Sequence, residues 1–427
     1  MSTTMPWGET VEVLMELGFP VNKFTLDNPT LGLLDGIGRL DGTLLGDDIS
    51  AFCEQVSVSR GRTNQLTQTS AGTATITLNN NTRRFDPINE LSPYWNPTTN
   101  ESGVTPRRKV TISVDGIPLF VGRISDIDLE YQPQNPSAST DISTVKIMAV
   151  DDFVLLANTF TSGIITPTEE LSGTRVSAIL DLPEVGYPAT RAISAGVATL
   201  GGGAPYEISA NTNVLTYLQS IAESESGNFY IAADGDLTFT DRIIPQFAGT
   251  TPIFSDTGTD IPYTSLGVAY GQELLYNKVQ VTTVDGTVQT SDNAASQTEF
   301  GISTYSLNSV LLSTDAQALT LSSYLLEKYG IPVYRFDAVG VGYNRLTSPQ
   351  RTTVSNIDLG TVISITRTYQ IGTPSTVTKF FAVEAVDHSI TNSQHQVRFA
   401  LAVAELVYSF TLDDAILGLL DSNNAVQ

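Results

Sequence analysis

The feature that most limits the fold is a two-residue alternation of apolar and polar side chains that recurs in short stretches along the chain. Ala74, Ile76 and Leu78 point one way while Thr73, Thr75 and Thr77 point the other, the period of a half-buried β-strand. Val110, Ile112 and Val114 repeat it, and the hairpin turn Asp115-Gly116 leads into Pro118–Val121. Between Asp126 and Tyr131 the apolar set is Ile127, Leu129 and Tyr131, and the acidic set is Asp126, Asp128 and Glu130. Val145, Ile147 and Ala149 close the series. Such strands, without a long helical pattern, predict a closed or nearly closed barrel over 51–160. Two polar linkers interrupt it, at Pro87–Pro106 and Gln132–Thr140.

The texture turns mixed over 161–261. Val176–Leu182, stopped by Pro183, reads as a short helix, and Asn213 caps a longer one with Leu215, Leu218, Ile221 and Ala222 on one face. A hairpin follows, with Asp234-Gly235 at its turn. Strands resume at Lys278. Thr314 with Gln317 matches a capping box for a helix ended by Gly330 and Pro332. Four further strands are predicted at Val333–Val341, Val362–Tyr369, Lys379–Asp387 and Gln396–Val403. The expected fold is mainly β. It has two tube-like β-barrel or sandwich domains, 51–160 and 262–405, the second with a packed helix. A small α/β domain at 161–261 is inserted between them, and extended arms lie at 1–50 and 406–427.

The arms share a motif. Phe24–Asp35 returns as Phe410–Asp421 with nine of twelve positions identical. Two copies at opposite ends do not make a solenoid, which needs stacked neighbours. Either each arm tucks its apolar residues into its own domain, or the motif is a docking peptide. In the second reading Phe24, Leu26, Leu31 and Leu34, and Phe410, Leu412, Leu417 and Leu420, enter a partner.

Composition removes most catalytic chemistry. Among 427 residues there are 22 basic and 45 acidic ones, a net charge of −23, which speaks against a static nucleic-acid clamp. Cys53 is the lone cysteine and His388 and His395 are the only histidines, so an intrachain disulfide and a Cys-based zinc site are excluded. The histidines bracket Asn392 and Ser393, the turn of a hairpin. A triad with Asp387 and Ser389 fails because neighbours on a strand face opposite sides. No stretch approaches the roughly 20 apolar residues of a membrane span, and the first ten residues lack a secretory pattern. Gly201–Gly203 has no Lys-Ser/Thr after it and reads as a turn. The expectation is no catalytic residue, no metal, no cofactor and no membrane anchor.

Charge is unevenly placed. Arg60, Arg62, Arg83, Arg84, Arg107, Arg108, Lys109 and Arg123 fall within the first β region, opposed there by few acids. The first seven are candidates for an assembly interface with an acidic neighbour, including another part of this chain.

The stretch Ser70–Pro87, with its Ala-Thr-Ile-Thr-Leu-Asn strand and Arg-Phe-Asp-Pro turn, followed by Leu119–Arg123, resembles minor tail proteins of long-tailed phages of actinobacteria and related hosts. Leu215–Arg242, Leu275–Val281 and the helix ending Tyr329–Pro332 continue the similarity, which covers about residues 52–405. The resemblance implies a baseplate hub, a structural virion protein at the tail tip, made in the host cytoplasm. Its relatives are homotrimers whose two tube-like domains make a pseudo-six-fold ring. They contact distal tail, tail-tube and other tail-tip proteins, and DNA passes through without specific binding. An acidic chain suits such a conduit, because like charges repel. Asp126, Asp128 and Glu130 are then candidate lumen acids, with plain solvent exposure as the alternative. Competing roles are a hexameric distal tail protein, a tail-associated cell-wall or polysaccharide hydrolase, a receptor-binding protein, or a carbohydrate-binding module using Trp7 and Trp95.

Overall fold

A computed structural model describes residues 3–18, 46–96, 98–132, 142–187, 190–242 and 251–404, with the pairs 408–409 and 424–425. Among them the chain is mainly β, dominated by one 15-stranded sheet. Six longer strands build most of its first half: β1 (Thr10–Glu16), β2 (Cys53–Gly61), β3 (Ser70–Asn79), β4 (Lys109–Val114), β5 (Ile117–Gln132) and β6 (Ile142–Val150), with the short strands Thr3–Thr4 and Gly46–Asp48 beside β1. They are antiparallel in the order β1-β4-β5-β6-β3-β2. The alternation read in the sequence sends Val56, Val58, Ala74, Ile76, Leu78, Val110, Ile112, Val145 and Ile147 into one core.

Two stretches differ from their sequence reading. The extended arm expected over 1–50 contains β1, whose Val11, Val13 and Met15 are buried while Glu12 and Glu16 occupy the opposite face. The acids concealed a period of two, because in a half-buried strand they belong on the solvent side. The linker Pro87–Pro106 is folded onto the core through Tyr94 and Val104, both buried. Asn80 accepts from the Phe85 amide at 2.9 Å, and the Tyr94 hydroxyl donates to Asp47 at 2.9 Å.

The second half is built from β7 (Arg335–Gly342), β8 (Val362–Thr368), β9 (Thr376–Thr391) and β10 (Gln394–Val403), with Ser265–Ala269 at the edge beside β7. The long strand β9 joins the halves. Its first part, Thr376–Ala382, pairs with β8, its last part, Ala385–Thr391, pairs with β2, and β10 runs along its other side. Both halves share one apolar core.

A second core holds the helix Ser172–Leu180, α1 (Val214–Glu225), the hairpin Asn228–Ile231 with Leu237–Thr240, the strand Lys278–Thr283 and α2 (Asp315–Tyr329). Sequence order had grouped Lys278–Thr283 and α2 with 262–405. Their Val279, Val281, Ala318, Leu321 and Leu325 pack instead with Leu218, Ile221, Phe229 and Phe239. Lys278–Thr283 is the middle of its own three-stranded sheet, separate from the large one, so α2 covers that sheet.

Caps follow the sequence closely. Asn213 accepts from the Thr216 amide at the start of α1, and Ser226, at φ 56°, ends it in the left-handed region. Thr314 caps α2 through the Gln317 amide, but Gln317 Oε1 is buried without a partner, so only half of that box forms. The complete box is at α3 (Ser348–Ser355), between Thr347 and Gln350.

Candidate functional site: a polar face across the joint

The pleat that buries the apolar set of β2, β3, β9 and β10 exports their polar set on the other side. Register aligns these residues into rows. Thr75 lies beside Ser57, Ser57 beside Ser389, and Ser389 beside Gln396; the next row is Thr77, Gln55, Thr391 and Gln394. These eight side chains are hydroxyls and amides without a formal charge, and they cross from one half of the sheet to the other without a break. A third row, Thr73, Ser59, Asp387 and Arg398, borders them. There Ser59 Oγ donates to Asp387 at 2.6 Å and Arg398 Nη1 to the other oxygen at 3.4 Å, so the charges of this row face each other.

The same face continues across β6 and β5. Met148, Lys146 and Thr144 pair with Thr75, Thr77 and Asn79, and Asp126, Asp128 and Glu130 pair with Met148, Lys146 and Thr144. The three acids are exposed on one side of β5, at the outer end of the polar face. At the far side, Gly342 and Gly340 on β7 lie beside Gln396 and Arg398.

Beneath the joint the chemistry reverses. Arg60 Nη1 meets Asp358 Oδ1 at 2.7 Å and Arg62 Nε meets Glu384 Oε2 at 2.5 Å, with both guanidinium groups and Glu384 largely buried. Asp358 also accepts from the Ala233 amide at 2.8 Å, tying the second core to the same point. Asp151 accepts from the amides of Gly72 at 2.6 Å and Phe153 at 3.0 Å, and burial pushes its carboxyl up to about 7. A Cβ on Gly72 would stand 2.8 Å from that carboxylate oxygen, which explains the glycine.

The basic residues singled out in the sequence do not act as one group. Arg60 and Arg62 join the two sheet halves internally. Arg83 binds Asp86 at 2.6 Å, and Arg84 lies over the rings of Phe52 and Tyr94, both fastening the loop after β3. Arg107 and Lys109 are exposed and Arg108 is half-buried. Phe24, Leu26, Leu31, Leu34, Phe410, Leu412, Leu417 and Leu420 lie outside the described residues. The polar rows themselves were missed: the alternation of Gln55–Ser59 was readable, but Ser59 and Asp387 stand 328 residues apart and no local signal pairs them. Among the described residues no group of three or more His, Cys, Asp or Glu is placed to hold a metal ion, and no helix is long and apolar enough to cross a membrane.

No family model and no curated protein matches this chain. Solved structures do. A tail protein from Neisseria meningitidis MC58 aligns at a TM-score of 0.55 and 10% identity, covering 92% of this chain and 96% of that one. The 43 kDa tail protein of prophage MuSo2 from Shewanella oneidensis aligns at 0.53 and 11%, covering 82% and 94%. The prophage tail protein gp18 from Listeria monocytogenes EGD-e aligns at 0.50 and 9%, covering 92% and 95%. This chain shares the fold of these tail proteins over nearly their whole length.

Proposed function

We propose that this protein is a structural component of a phage tail tip, a homotrimeric hub that continues the tail tube and forms part of the channel through which DNA leaves. The observation that carries the reading is the uncharged face of Thr75, Ser57, Ser389, Gln396 and their row neighbours, continuous across two sheet halves. A channel wall for DNA must be wetted yet must not hold phosphates. Hydroxyls and amides meet the first need, and the absence of formal charge on these eight side chains meets the second, while the one lysine further along the face, Lys146, lies beside Asp128 in the register. Asp126, Asp128 and Glu130 extend the same face with repulsive charge. Three copies supplying two sheet halves each would make a ring of six similar units, the number the resemblance implies; a distal tail protein supplies one unit per copy. The fold shared with the Neisseria, Shewanella and Listeria tail proteins agrees with this role. Arg107 and Lys109, exposed on an acidic protein, are proposed contacts between copies, and the repeated motifs at 24–35 and 410–421 are proposed docking peptides for tail-tip neighbours. No catalytic step is assigned. Sedimentation of the purified chain tests the assembly: a species of three chain masses is expected, and a stable monomer at virion-like concentrations, or a hexamer, contradicts it.

A further inference from the structure

The fold brings the chain's two histidines into one buried line of hydrogen bonds. His388 on β9 and His395 on β10 face the interior from adjacent strands. His388 Nδ1 lies 3.0 Å from His395 Nε2, and His395 Nδ1 lies 2.7 Å from Glu9 Oε1. Glu9 is fully buried in the turn before β1, and its other oxygen accepts from Trp7 Nε1 at 2.5 Å. The Tyr343 ring packs on His395 with centroids 4.3 Å apart, its hydroxyl paired with Ser355 Oγ on α3 at 2.7 Å. The remaining charged groups facing this site are Arg351 on α3, which donates to the Trp7 carbonyl at 2.8 Å, Asp115, which accepts from the Thr10 amide at 2.8 Å, and Arg60 on β2.

Counting protons gives the site its property. Between the two rings one nitrogen must donate and the other accept, and His395 must donate to the Glu9 carboxylate. Both bonds survive when the imidazoles are neutral, and both survive when one of them is charged. When both are charged, two N–H groups face each other across 3.0 Å with nothing to accept them. We propose that Glu9, His395 and His388 form a proton-operated clasp that fastens residues 3–16 to the second half of the sheet and opens on acidification. Burial, with His395 and Arg60 nearby, holds the His388 pKa well below its ordinary value of 6.5. The unfolded chain therefore binds the extra proton first. The stabilisation is complete above the ordinary histidine range and is lost as pH falls below it. This inference does not depend on the role in a tail.

Trp7 reports on the clasp directly, because Trp95 is the only other tryptophan. In a Trp95→Phe chain, Trp7 emission is expected to shift to the red as pH falls below 6.5, and adding His388→Gln should abolish the shift in that window. An unchanged transition in the double variant, or none in Trp95→Phe, overturns the proposal. If His388→Gln does not fold, histidine-labelled nitrogen-15 spectra of the unsubstituted chain decide. The clasp requires that both rings never be imidazolium while the fold is intact, and two rings titrating independently near pH 6.5 in the folded chain contradict it.

Discussion

The joint between β2 and β9 has two faces made by the same strands, and they follow opposite rules. Inward lie Arg60, Arg62, Glu384 and His388, charged or titratable groups deprived of water and each held by a specific partner. Outward lie Ser57, Gln55, Ser389 and Thr391, which carry no formal charge and form no ion pair. A buried ion pair adds little net stability, since desolvation offsets most of the attraction. It does penalise every arrangement that leaves one charge alone, so it fixes how two sheet halves meet. The outer face needs no such specificity, and in the proposed channel role a surface facing DNA is better without it. The alternation of a β-strand lets one pair of strands meet both demands.

The comparison predicts large effects inward and small ones outward. Arg62→Ala strands the Glu384 carboxylate in a site where its side chain is 5% exposed, and should cost about 3–5 kcal/mol in denaturant unfolding. A loss below about 1 kcal/mol would mean the pair does not hold the joint. Asp151→Asn should change the pH dependence of stability. The folded carboxyl protonates at about 7 and the unfolded one near 3.8, so ionisation weakens the parent as pH rises between those values. Melting curves should show the variant gaining on the parent from pH 5 to pH 8, and a constant gap would refute the burial assigned to Asp151. On the outer face, Ser57→Arg with Ser389→Arg, two like charges directly opposite each other, should cost no more than about 1 kcal/mol. The same pair should slow DNA release from virions, since guanidinium groups hold phosphates; normal release would remove this face from the channel. The smallest effect belongs to Asp126→Asn, Asp128→Asn and Glu130→Gln together, which should leave the unfolding midpoint unchanged within about 0.5 kcal/mol.

Much of the β architecture was legible because alternation is local. Ala74–Leu78, Val110–Val114 and Val145–Ala149 were read as strands and are strands, and Asn213 and Thr314 were read as caps and are caps. What local pattern cannot carry is which strands meet. The joining of β2 to β9 across most of the chain, the capture of Lys278–Thr283 by the second core, and the burial of Glu9 beside His395 depend on distant pairing. The acid-rich start was misread for a related reason: Glu12 and Glu16 dominate its composition, while Val11, Val13 and Met15 determine where it goes. The candidate face was half legible, its residues visible and their adjacency not.

Electron cryomicroscopy of the virion tail tip tests the central claim most directly. The account predicts three copies of this chain around the tail axis, with the rows of Thr75, Ser57, Ser389 and Gln396 turned toward the lumen. A peripheral position off the axis, or an axial ring with that face turned outward, would contradict it.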